Sequence, residues 1–218
     1  MKHIINTDFR FDDDEKLKNY LPLLKEYALK SIKSQSNKNF TWVIWLKERH
    51  IDILNDVIDV PFYNLILENK YKYGFPDYHS SLIFHNFLRR NNVEIQTKLD
   101  ADDVLYPHYV ETIQEIYEAN KDKYKSFIIN ALPIMNILAT KKYYHMNMWN
   151  EQNISMIFSL CAKHYDGVFL ERDNHAFMYK LVEKVIMAEP LGEYIIHGNN
   201  RYAKDNMDKL LPYCTELP

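Results

Sequence analysis

Glycine is scarce in this chain: Gly74, Gly167, Gly192 and Gly198 are the four in 218 residues. Loops that cradle phosphate need clustered glycine so that backbone amides can approach the anion, so a P-loop and a GxGxxG dinucleotide fingerprint are both excluded. Cysteine is scarcer still. Cys161 and Cys214 lie far apart with no CxxC spacing, which supports neither a disulfide framework nor a zinc site. GxSxG and HExxH are missing, and with them the usual signatures of serine hydrolases and zinc hydrolases. No apolar run approaches the roughly 18 residues of a membrane span. The N-terminal MKHIINTDFRF enters a strand-like run without an h-region or cleavage site, so no signal peptide is expected and the expected location is cytoplasmic. A formal charge of −3 offers no basic face for phosphate neutralisation, which argues against nucleic acid as the main partner.

What is present is a globular composition, 47% hydrophobic and 26% charged, in a length that can bury a core. Apolar runs and breakers alternate as short strands and helices, the pattern of an α/β sheet flanked by helices. His3 to Asn6 reads as a first strand. DDDEKLKNYLPLLKEYALKSIKSQSN then sets Leu17, Tyr20, Leu21, Leu24, Tyr27, Ala28 and Ile32 at helical spacing, with acidic residues in the first turn where the helix dipole favours them. FTWVIWL (40–46) and PFYNLIL (61–67) read as strands with a short helix, IDILNDVID, between them. HSSLIFHNFLRR is helical, VEIQTKLD a strand, and PHYVETIQEIYEAN a helix with Pro107 in its first turn. Beyond it, SFIINALPIMNILATKKYYHMNMW suggests strands or a hairpin, NISMIFSLCAK a strand, HAFMYKLVEKVI a helix, and EYIIHGNNRY a strand running into a polar loop. One domain over 1–203 and a tail over 204–218 are expected.

TKLDADDVLYPHYVE packs three carboxylates into four positions at a strand end. Capping and turn chemistry would use one of them, but like charges so close repel unless something positive compensates. A helix-loop-helix calcium loop fails, because the sixth position counted from Asp100 is Leu105 rather than glycine. A divalent cation shared with a diphosphate fits better: in open α/β sheets ligands bind outside the carboxyl ends of strands, and a hard cation takes oxygen ligands from carboxylate and phosphate together.

The same stretch resembles the Asp-x-Asp segment of GT-A glycosyltransferases, and in particular the RLDNDD stretch of the rhamnosyltransferase family. LPLLKEYALKSIKSQSNKNFTWVIWL is similar to that family's helix ending in PSI..Q before an F.W.i strand, and EPLGEYIIHGNN to its P.W.Q..HG.N. The order and spacing agree over roughly residues 1 to 200. Departures are NTDFRF where a TRFN-like stretch is usual, Lys98 for the arginine before the acidic motif, and Gly192 and Glu193 where an aromatic is usual.

The resemblance implies a single GT-A-like (Rossmann-like) α/β domain, a mixed central sheet flanked by helices. It implies a glycosyltransferase using a nucleotide-sugar donor, Mn²⁺ or Mg²⁺, and a hydroxyl acceptor on a glycan or glycoconjugate. Asp100, Asp102 and Asp103 would bind the donor, with Thr7, Arg10 and Asn199 beside them; Asp102 and His197 would hold the metal. Glu171 and Asp173 are the candidate bases, with His175 a third, each with an ordinary alternative such as an N-cap or surface ion pair. Two other readings stay open. One is a catalytically degenerate binding or scaffold protein on the same fold. The other is a nucleotidyltransferase, against which the poverty of glycine argues. No basic amphipathic helix marks membrane contact, and an acceptor on a lipid leaves peripheral contact open. Donor sugar, stereochemical outcome and oligomeric state are not legible.

Overall fold

The computed structural model describes residues 2–66, 78–146, 157–162, 182–197 and 214–217. They build one mixed sheet. β1 (His3–Asp8), β2 (Thr41–Leu46), β3 (Tyr63–Ile66) and β4 (Ile95–Lys98) lie parallel in the order β3-β2-β1-β4. β5 (Val104–Leu105) is a short strand off this row. The sheet continues antiparallel from β4 through β8 (Phe158–Ala162), β6 (Ser126–Ile137), β7 (Lys142–Met146) and β10 (Cys214–Glu216). The residues expected as a tail therefore supply an edge strand at 214–216.

Helices cover both faces. α1 (Asp14–Leu24) starts on Asp13, whose carboxylate accepts the Glu15 amide at 2.8 Å, one of the donors a helix start leaves unpaired. Pro22 lies inside it and removes one ladder donor. The helix then widens into a π-helical turn, Lys25–Leu29, before α2 (Lys30–Ser34). α3 (Ile51–Asn55) and α5 (Tyr109–Asn120) pack on the same face, around Leu17, Leu24, Trp42, Leu54, Tyr109 and Ile113. α4 (Tyr78–Arg90) covers the other face through Phe84 and Leu88 against Val43, Trp45 and Leu160. Strands sandwiched this way are apolar on both sides, which is why TWVIWL and FSLCA are nearly unbroken hydrophobic runs.

Two expectations are corrected. Pro107 is not in the first turn of α5; the helix begins at Tyr109 with His108 at the cap, and Pro107 stands before it. Gln35 does the capping instead: its side-chain oxygen accepts the Val110 amide at 3.1 Å while its amide donates to the Tyr106 carbonyl at 2.9 Å. The helix read through Ile186 cannot extend that far, because β9 (Lys184–Ile196) is a strand of 13 residues. It runs parallel to β6, and between Ala131↔Ala188 and Pro133↔Gly192 it spends four residues against two of its partner. The bulge re-aims its second half so that it also pairs with β5.

Candidate active site

The strand order changes direction between β1 and β4: the chain leaves β1 for β2 on one side and returns in β4 on the other. Their carboxyl ends open the crevice where such sheets bind ligands. Leu99 donates its amide to the Asn6 carbonyl at 3.0 Å, extending the pairing to the point where the acidic run begins. Asp100 to Asp103 then form a turn closed by the Asp103 amide on the Asp100 carbonyl, and β5 follows at once. The three carboxylates are thus pinned between two strands.

β9 brings His197 to them. The β5–β9 pairing sets Val104 against Glu193 and Leu105 against Gly192. Gly192 is required there: a Cβ would lie 2.2 Å from the Val104 carbonyl oxygen and 2.8 Å from Ile157 Cδ1. Farther along, Asp103 Oδ1 accepts the Ile195 amide at 3.2 Å. His197 follows, its Nε2 2.7 Å from Asp102 Oδ2, with side chains 9% and 13% exposed.

Each carboxylate has a different environment. Asp100 is the outermost and pairs with Lys98 Nζ at 3.1 Å. Burial opposes the charge on Lys98, but Asp100, with Asp103 and Asp8, overrides it and holds the ammonium above the ordinary lysine pKa. Asp103 is fully buried, and burial, then Asp102 and Asp100, raise its carboxyl well above the ordinary range, against the Ile195 amide and Lys98. Its Oδ2 is buried without a hydrogen-bond partner. Tyr20 stands edge-on to the His197 ring, centroids 6.1 Å apart, in an aromatic row with Phe11 and Phe9. Burial, Asp102 and Asp100 raise its phenol.

Asp102 and His197 present a carboxylate oxygen and an imidazole nitrogen side by side; the oxygen suits Mn²⁺ or Mg²⁺, and the nitrogen is a ligand that Mn²⁺ accepts more readily than Mg²⁺. Among the described residues there is no group of three or more His, Cys, Asp or Glu spaced for a metal. Two protein ligands would leave the remaining positions for diphosphate oxygens and water, as expected for a cation bound together with its substrate. The residues fit the group.

Other predicted residues fall elsewhere. Thr7 is buried and accepts the Trp42 indole N–H at 3.0 Å. Arg10 forms a two-pronged pair with Asp8, Nε–Oδ1 and Nη2–Oδ2 both 2.8 Å, and lies over the Trp45 ring at 5.0 Å. Both sit at the carboxyl end of β1 with their polar groups engaged inside the protein. Glu171, Asp173, His175 and Asn199 lie outside the described residues. Sequence reasoning missed Tyr20 and Tyr27 as site residues because they sit in the apolar stripe of α1 and its π-helical extension. Glu193 stood out as a departure from the family pattern, without a role.

The family model described as putative rhamnosyl transferase matches residues 5–190. The curated proteins give no match. Among solved structures, S. aureus TarS 1–349 in complex with UDP-GlcNAc superposes with a TM-score of 0.55 at 10% identity, over 93% of this chain and 61% of that one. Its complex with UDP gives 0.51 at 10% identity, over 90% and 61%. The chain thus spans about three-fifths of that relative's length. A Bacillus anthracis structure described as a putative glucose-1-phosphate thymidylyltransferase, in complex with a sucrose, gives 0.50 at 11% identity over 88% of each. At such identities the likeness is one of fold, and the fold is GT-A-like.

Proposed function

The chain belongs to the putative rhamnosyl transferase family, and from that premise we propose that it is a metal-dependent glycosyltransferase. In this reading it moves a sugar from a nucleoside-diphosphate donor to a hydroxyl of a glycan or glycoconjugate. The family description puts rhamnose first among donor sugars, and TarS, crystallised with UDP and with UDP-GlcNAc, makes a uridine nucleotide the first base to test. The observation that carries the reading is the Asp102–His197 pair at 2.7 Å on the switch point of the sheet.

Asp102 and His197 hold the cation, which when bound offsets charge on the departing diphosphate. Asp103 keeps β9, and hence His197, in register with the acidic turn. Asp100 takes a ribose hydroxyl, and Lys98 limits the negative charge that would otherwise repel the diphosphate. Asn199 and the region of Thr7 and Arg10 border the donor. Asp173 or Glu171 takes the acceptor proton if configuration is inverted.

Release of nucleoside diphosphate from a panel of nucleotide sugars, followed with and without Mn²⁺, tests this. Metal-dependent release abolished by Asp102→Asn in a folded protein is expected. Release that ignores both metal and substitution contradicts it, and no release together with no nucleotide binding favours the degenerate scaffold.

A further inference from the structure

Beside the Asp102–His197 pair, a second group of polar side chains converges from five separate elements and does nothing for the core. Glu193 lies in β9, on the stretch held against β5, and its Oε2 accepts the Asn136 side-chain amide from β6 at 2.8 Å. Tyr106 follows β5, its amide bonded to the Leu191 carbonyl at 2.8 Å, which ties it to the stretch of β9 that carries Glu193. Tyr143 in β7 pairs with Asn136 and is 43% exposed. Tyr27 lies in the π-helical turn, a widening that recurs at functional sites.

The electrostatics agree with the geometry. Burial, then Glu193 and Tyr143, push the Tyr106 phenol up to about 12. Burial raises Tyr27, with Glu26, Glu193 and Asp102 adding to it and Lys30 opposing. The π-helical turn that carries Tyr27 packs against β5, the strand that joins the acidic turn to Tyr106. Among the described residues no cation pairs with Glu193.

We propose that Glu193, Tyr106, Tyr27 and Tyr143 form a saccharide subsite that holds a neutral sugar ring of the acceptor next to the donor site. A pyranose has an apolar C–H face and a rim of hydroxyl donors. Tyrosine rings match the face at low entropic cost, and a carboxylate, which can only accept, matches the rim. The negative charge of Glu193 and the nearby aspartates selects against uronic or phosphorylated rings. The assignment of the ring as acceptor rests on the glycosyltransferase reading; the saccharide binding itself does not.

The test is saturation-transfer difference NMR of the full chain with methyl glycosides of glucose, galactose, N-acetylglucosamine and rhamnose, and with methyl glucuronide. Each is titrated against wild type, Glu193→Gln and Tyr106→Ala. UDP with Mn²⁺ serves as a separate probe of the donor site, and melting curves confirm that the variants fold. At least one neutral glycoside is expected to saturate, and to bind about tenfold more weakly to Glu193→Gln, the loss expected from one hydrogen bond to a charged group. Methyl glucuronide should bind more weakly than its neutral counterpart, and the UDP response should survive both substitutions. Equal binding to wild type and variants, preference for the glucuronide, or no neutral glycoside bound while UDP binds normally would overturn the subsite. Loss of the UDP response in wild type would instead count against the glycosyltransferase reading, and the glycoside titrations would still decide the subsite.

Discussion

Asp103 accepts the amide of Ile195 two residues before His197, so the turn that carries Asp102 also fixes the strand that carries its partner. The two neighbouring aspartates divide the labour. Asp102 meets the imidazole, while Asp103, buried and one residue on, holds the frame.

That division has a pH signature. The Asp103 carboxyl is raised in the folded protein above its ordinary 3.8, so it contributes stability at low pH that is lost as pH rises through its folded value. Asp103→Asn retains an acceptor for Ile195 without the charge. Its melting temperature should gain on wild type as the pH is raised from 4 to 8 in the absence of metal. A constant difference across that range would contradict the burial of a carboxyl there.

His3 acts in the opposite direction. It is buried, with Nε2 2.8 Å from Thr97 Oγ1, and burial lowers its pKa from 6.5 to about 3. The Gln114 amide lies 3.4 Å from Nδ1, which makes Nδ1 the acceptor and Nε2 the proton carrier in the neutral ring. Below pH 6.5 the unfolded chain takes up a proton that the folded chain refuses, so stability falls with acid down to about pH 3. The slope from this one group approaches about 1.4 kcal/mol per pH unit. Urea unfolding at pH 7 and pH 5 should show His3→Gln losing less stability than wild type between the two.

Gly192→Ala tests the close approach of β9 to β5. The added carbon meets a backbone carbonyl, which cannot swing aside as a side-chain tip can. A cost of about 1–3 kcal/mol is expected from forced overpacking, read as a lower denaturation midpoint. Metal-dependent nucleotide binding should weaken as well, since the displaced strand carries His197. Unchanged stability would show that the two strands separate freely.

Removing the metal should mimic removing its ligands. EDTA, Asp102→Asn and His197→Ala are each expected to abolish Mn²⁺-dependent nucleotide binding, with no additional loss when EDTA is added to either variant. Additive losses would mean that the residues and the cation act at different places.

Much of the architecture was legible because hydrophobic patterning speaks directly to it. TWVIWL is a nearly unbroken apolar run that buries its side chains, and the α1 stripe shows its period. The acidic run at the end of β4 was legible as a site because charge of that density at a strand end needs a reason. Only the second half of β9 was legible, as the strand read in EYIIHGNNRY; its first half was not, because Glu189, Pro190 and Gly192 look like turn residues, yet they sit in a bulged strand. Nor could sequence show that Thr7 spends its hydroxyl on Trp42, which depends on the packing of β1 against β2, or that Arg10 turns back onto Asp8 and over the Trp45 ring. The grouping of Glu193 with the tyrosines could not be read from the sequence either, because it exists only where separate elements meet.

The central claim is that Asp102 and His197 hold a cation together with a nucleoside diphosphate. It is tested most directly by thermal shift with UDP, GDP, dTDP and CMP, each with and without Mn²⁺, on wild type and on His197→Ala, because a ligand that binds the folded state must raise its melting temperature. The account predicts that one diphosphate stabilises wild type when Mn²⁺ is present and fails to stabilise His197→Ala. A shift of equal size without metal, or one that survives in His197→Ala, would contradict it.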